Sequence, residues 1–161
     1  MHKHTISVLV ENHFGVLARI AGLFAGRGYN IDSLAVGETE DPRVSKMTIV
    51  AQGDDRVIEQ ITKQLNKLID TIKVVDLSEE GFIDRELILL RVDTSKKNRA
   101  EIIEIADVFA ARAIDISRTS ITLEFTGESD KIDNFIEMMR PFGIKELVRT
   151  GKLAMAKSKQ K

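Results

Sequence analysis

Thr5-Ile6-Ser7-Val8-Leu9-Val10-Glu11-Asn12-His13-Phe14-Gly15-Val16-Leu17-Ala18-Arg19-Ile20-Ala21-Gly22-Leu23-Phe24 changes period partway along. Its first six residues alternate, putting Ile6, Val8 and Val10 on one face of a strand. From Leu17 the apolar residues Leu17, Ile20, Ala21 and Phe24 recur at helical spacing and make one stripe. A strand therefore feeds a helix through a short connection, residues 11–17. Gly26-Arg27-Gly28 ends that helix, since glycine accepts the left-handed conformation of a cap.

Residues 29–36 read as a second strand, and residues 38–43, with Pro42, as a polar hairpin connection. A third strand follows over 45–51. Gly53-Asp54-Asp55 is a turn and cap. Val57, Ile58, Ile61, Leu65 and Leu68 then lie at helical spacing, and residues 71–77 form a fourth strand with Ile72 and Val74 on one face. The pattern then starts again. Strands are expected over 86–92, 113–116, 120–125 and 144–148. One helix carries Ile102, Ile103, Ala106 and Phe109; another carries Ile132, Phe135, Ile136 and Met139 and is stopped by Pro141. Leu23-Phe24 corresponds to Val108-Phe109 at an offset of 85, and Gly53-Asp54 to Gly127-Glu128 at an offset of 74. The fall between the two offsets requires a shorter hairpin between the second and third strands of the second copy, a change that loops absorb at small entropic cost. Two copies of β-α-β-β-α-β give an α+β chain of two ferredoxin-like sandwiches in tandem. The expected domains are 1–79 and 84–161, the second ending in a basic tail of Lys152, Lys157, Lys159 and Lys161.

Composition removes several function classes. The 161 residues carry a formal net charge of -1, so no global field draws nucleic acid or an anionic membrane. There is no cysteine, hence no disulfide, thiolate nucleophile or cysteine-ligated zinc. No signal peptide or membrane-spanning run is evident, and the expected location is the cytoplasm. With Trp absent and Tyr29 the only tyrosine, stacking platforms for single-stranded nucleic acid are disfavoured. A metal site would have to draw on His2, His4 and His13, two of them near a terminus with no third ligand assured, so none is expected. No phosphate-binding loop, acid pair or Ser-His-Asp arrangement stands out, and an enzyme is not expected.

The connection after the first strand has the chemistry for a small zwitterion. A helix start offers unpaired N–H groups and partial positive charge to a carboxylate. Gly15 lets a ligand approach the backbone. Asn12 offers donor and acceptor. Val16 and Leu17 supply an apolar wall, His13 stands between them and Asn12, and Asn30 with Ile31 at the next strand supplies a second amide. The plain alternative makes Asn12 a helix cap and Gly15 a tight turn.

The residues also carry a resemblance. Asn12-x-x-Gly15-Val16-Leu17-x-Arg19-Ile20, Gly28-Tyr29-Asn30-Ile31-Asp32-Ser33-Leu34 and Ser45-x-Met47-Thr48-Ile49 resemble an ACT domain. Adding Glu59-Gln60-Ile61-x-Lys63-Gln64-Leu65-x-Lys67-Leu68, Arg85-Glu86-Leu87, Ile114-Asp115-Ile116-Ser117 and Arg149-Thr150-Gly151, nearly the whole chain resembles the small regulatory subunits of acetolactate synthase, also called acetohydroxyacid synthase. It departs at Phe109-Ala110-Ala111, where the family often has Phe-Arg-Gly.

The resemblance implies a non-catalytic subunit for branched-chain amino acid biosynthesis. It would activate a catalytic large subunit and confer feedback inhibition by valine, or by leucine or isoleucine. The effector would sit between two ACT domains of a homodimer, with Asn12, His13, Gly15, Val16 and Leu17 of one chain facing Asn30 and Ile31 of the other. Thiamine diphosphate, magnesium and FAD would belong to the catalytic partner, and none to this chain. Two further readings are an amino-acid sensor for another enzyme and a ligand-responsive transcription regulator. The latter needs a helix-turn-helix or basic arm, and the periodic elements are already used by the two sandwiches.

Overall fold

The structure, a computed structural model, describes residues 2–79 and 81–158. Residues 159–161, with two of the tail's lysines, lie outside them. The chain forms two compact units. One takes the chain up to Ile83 together with the segment from Lys152 onward; the other is Asp84–Gly151.

In the first unit, strands β1 (His2–Glu11), β2 (Ile31–Glu38), β3 (Val44–Gly53) and β4 (Thr71–Asp76) form an antiparallel sheet in the order β2-β3-β1-β4. Helices α1 (Val16–Gly26) and α2 (Asp55–Asn66) cover it. The core is built from the alternating face of β1 (Ile6, Val8, Val10), from Met47, Ile49 and Ala51 of β3, and from Val16, Ile20, Phe24, Ile58, Ile61 and Leu65 of the helices. The stripe of α1 is thus turned by one residue from the expected one. Val16 is buried in place of Leu17, which is 45% exposed, and Ala21 is exposed too.

Strand β2 starts two residues later than its composition suggests, and the helix ending is the reason. Gly28 takes φ 68° and donates to Ala25 O at 3.1 Å, while Tyr29 N donates to Phe24 O at 3.0 Å. These are the paired bonds of a Schellman cap, so Tyr29 belongs to the helix stop. In β4, Ile72 falls in a register irregularity opposite Leu9 and Val10 and is 52% exposed. It therefore does not share Val74's inward face as alternation requires.

The second unit repeats the plan. Strands β5 (Phe82–Asp93), β6 (Arg112–Ile116), β7 (Ser120–Gly127) and β8 (Ile144–Arg149) are ordered β6-β7-β5-β8, with helices α3 (Arg99–Val108) and α4 (Ser129–Met139). Register irregularities recur at corresponding places, at Leu9/Val10 and Arg91/Val92 and again at Ile31/Ser33 and Ala113/Asp115. The shorter hairpin is present: β6 has 5 residues where β2 has 8. Phe109, Phe125 and Phe135 meet edge-on or tilted in its core. The departure at Phe109-Ala110-Ala111 does not change the helix ending. Ala110 takes φ 57°, Ala110 N donates to Asp107 O at 3.0 Å and Ala111 N to Ala106 O at 2.9 Å. Alanine makes the same cap in a conformation that favours glycine.

One strand lies outside both repeats. Strand β9 (Leu153–Ala156) pairs with β5, and its segment returns to the first unit. Lys152 N donates to Ser33 Oγ at 3.1 Å, and Ala154 N to Thr48 Oγ1 at 3.3 Å. Expectation gave this segment to the second domain as a tail. Its tie to the first is made of backbone donors and side-chain hydroxyls, which leave no periodic trace. Among the described residues no helix is long and apolar enough to cross a membrane.

Candidate functional site

The connection between β1 and α1 forms one wall of a cavity of about 310 Å³. Val10, Glu11, Asn12, His13, Val16 and Leu17 face Val36, Gly37 and Glu38 of β2 and Ser45 and Met47 of β3. The volume is at the small end of the range for small-molecule sites. Its rim is apolar and open: Leu17 is 45% and Val36 48% exposed, and neighbouring Phe14 is 99% exposed.

Each expected site residue has a definite place. Asn12 is not the helix cap. Its Nδ2 donates to Pro42 O at 2.9 Å and Glu38 Oε1 at 3.2 Å, fastening the connection to the β2–β3 hairpin. Gly15 is the N-cap of α1, at φ 85° with no side-chain cap, and no acidic residue stands in the first turn. The amides at the start of α1 thus have no carboxylate of their own. Asn30 and Ile31 are elsewhere. Asn30 Nδ2 donates to Asp32 Oδ1 at 2.9 Å, and Ile31 packs on the core at the end of β2 that pairs with Ala51. The cavity touches β2 at the opposite end, where Glu38 pairs with Ser45. Within one chain the structure therefore gathers Asn12, His13, Val16 and Leu17 around the cavity with Gly15 between them, and leaves Asn30 and Ile31 apart.

His13 also belongs to an ion network absent from the sequence reading. Its Nε2 lies 2.8 Å from Asp70 Oδ1 and 3.3 Å from Glu11 Oε2. Arg19 Nε donates to Asp70 Oδ2 at 2.6 Å. The Asp70 side chain is only 5% exposed, and the hydrogen bond from Arg19 holds its carboxyl below the usual range. Glu11, His13 and Asp70 bring ligand atoms within 4.8 Å of one another, but Arg19 already neutralises one Asp70 oxygen. His4 is not near; its Nδ1 bonds Asp76 Oδ2 at 3.1 Å. Asp70 stands in the short connection between α2 and β4, where nothing in periodicity or spacing marks it.

Residues 6–73 match a family model described as the AHAS small subunit-like ACT domain, and residues 85–158 one described as the small subunit of acetolactate synthase. The chain belongs to the acetolactate synthase small-subunit family. A relative from Archaeoglobus fulgidus, a probable acetolactate synthase small subunit, is 56% identical over 99% of this chain and 99% of its own. The acetolactate synthase small subunit of Aquifex aeolicus is 52% identical over 96% of this chain and 81% of its own. The crystal structure of the acetolactate synthase small subunit from Thermotoga maritima superposes with a TM-score of 0.89 at 37% identity, covering 99% of this chain and all of that one. The first unit is therefore an ACT domain, and the family role is that of a regulatory subunit working with a catalytic acetolactate synthase subunit.

Proposed function

We propose that this small subunit activates its catalytic partner and makes it sensitive to a branched-chain amino acid, valine foremost, bound at the cavity beside the start of α1. The observation that carries the reading is the cavity itself. A wall of Val16, Leu17, Val36 and Met47 suits a branched aliphatic side chain, and it adjoins a helix start without a carboxylate of its own. The exposed Phe14, Leu17 and Val36 at its mouth support closure by a second ACT domain. In such a dimer Asn30 and Ile31 of the other chain complete the site that Asn12, His13, Gly15, Val16 and Leu17 begin. Thiamine diphosphate, magnesium and FAD belong to the catalytic subunit, and the complex is cytoplasmic. The effector acts by binding one arrangement of the paired domains better than another, a coupling of about 1–3 kcal/mol.

Calorimetric titration with valine, leucine and isoleucine tests this, alongside acetolactate formation by the reconstituted complex. Saturable heat with at least one of them, and a matching fall in rate, is expected. A protein that binds none of the three, in a complex indifferent to all of them, refutes the reading.

A further inference from the structure

Asp70 and Arg19 are not part of the cavity lining, but they touch the connection that forms its wall, at His13 and Gly15. Asp70 holds one partner from each side of Gly15: His13, two residues before, and Arg19, four residues after. Its backbone adds a third tie, accepting at Asp70 O from Glu11 N at 2.9 Å. The connection and the first turn of α1 are thus strapped to a nearly buried carboxylate. The Arg19 side chain gives Asp70 its Nε and has no other bonded partner among the described residues. Its Nη groups point to Gly15 instead. A Cβ built on Gly15 would lie 2.9 Å from Nη1 and 3.9 Å from Nη2. The guanidinium therefore covers the space over Gly15 that a side chain would fill, and a carboxylate reaching that point meets its Nη groups.

The geometry points to Asp70 and Arg19 as the carboxylate determinant of the effector site: Asp70 is a positioning residue that fixes the guanidinium, and Arg19 Nη1 and Nη2 take the effector's carboxylate over Gly15. This rests on the reading of the β1–α1 connection as the effector site and names the chemistry that selects an amino acid there. A planar guanidinium presents two parallel N–H groups to a carboxylate, which an ammonium does not. Holding Nε on a buried partner fixes the orientation before the ligand arrives and lowers the entropy lost on binding. The alternative is that Arg19 serves only to neutralise Asp70, and the two make different predictions for a ligand without a carboxylate.

The test is calorimetric titration of the whole protein with valine and with valinamide, for the wild type and for Arg19→Gln, Arg19→Lys, Asp70→Asn and Asp70→Glu. Circular dichroism and thermal melting confirm that each variant is folded. Wild type should prefer valine. Arg19→Gln should lose ten- to hundred-fold in valine affinity and little for valinamide, so that the preference collapses. Arg19→Lys, with charge but no fork, should retain only part of it. Asp70→Asn should weaken the preference, and Asp70→Glu should restore some of it. If wild type binds valine and the valine-to-valinamide ratio is unchanged in folded Arg19→Gln and Arg19→Lys, the proposal is wrong while the effector site stands. If wild type binds none of valine, leucine and isoleucine and the reconstituted complex is indifferent to all three, both fall.

Discussion

Gly15 takes φ 85°, a conformation in which most L-residues are strained, and a side chain there would point at Arg19. Asp tolerates positive φ better than most, at about 1 kcal/mol. Gly15→Asp places a carboxylate within reach of the guanidinium, where the effector's own should bind. A complex assembled with it should keep running at valine concentrations that inhibit the wild type; an unchanged inhibition curve would contradict the assigned position. Asp70 makes a second prediction. Its carboxyl is held below the usual range by the Arg19 hydrogen bond, so the folded state binds the proton less readily than the unfolded chain. Its contribution to stability is therefore complete above the unfolded carboxyl's pKa of about 4 and lost as pH falls through the folded value. In urea melts, Asp70→Asn should be less stable than wild type at pH 7, with the gap narrowing towards pH 3. A gap independent of pH would show that the charge on Asp70 does not matter. The cavity residues near Gly15 were legible because one short stretch supplies them. Asp70 was not, because a contact across 51 positions with Arg19 has no local signature.

Among the elements, periodicity was a good guide wherever one face is buried and the other wet. The helix stripes of α2 and α4 and the inward face of β1 follow it, because burial of apolar surface selects those rows. It misled where backbone chemistry intervened. The Schellman cap took Tyr29 out of β2, and the register irregularity turned Ile72 outward. The two caps can be compared directly, since Gly28 closes α1 at φ 68° and exposed Ala110 closes α3 at φ 57°. Alanine in the left-handed region carries about 1 kcal/mol of strain that glycine lacks, partly offset by the greater freedom of glycine in the unfolded chain. Ala110→Gly should therefore raise the stability of the second unit by about 0.5–1 kcal/mol, and Gly28→Ala should lower that of the first by a similar amount. Urea titration checks both through a displaced midpoint at constant slope. A destabilised Ala110→Gly would mean that the cap is held by something other than its backbone.

For the molecule as a whole, duplication explains the shared strand order and the repeated irregularities, while the C-terminal strand breaks the symmetry. Among the described residues nothing in the first repeat corresponds to β9. Residues 152–157 tie to the first unit through Ser33, Thr48 and Gly81, with Ala154 buried. Thr48 is itself only 4% exposed, so losing the Ala154 amide would leave a buried hydroxyl short of a partner, at about 1–3 kcal/mol. The strap thus braces β2 and β3, the strands that supply Val36, Gly37, Glu38, Ser45 and Met47 to the cavity. Ending the chain after Gly151 should speed amide exchange across β2 and β3 while leaving β6 and β7 as protected as before, because local opening follows the contacts of each unit. Ala154→Asp should do the same more mildly, by putting a charge where a methyl is buried. Exchange that quickens equally in both units would show the strap to be a brace for the entire chain, and exchange that does not change would show it to be no brace at all.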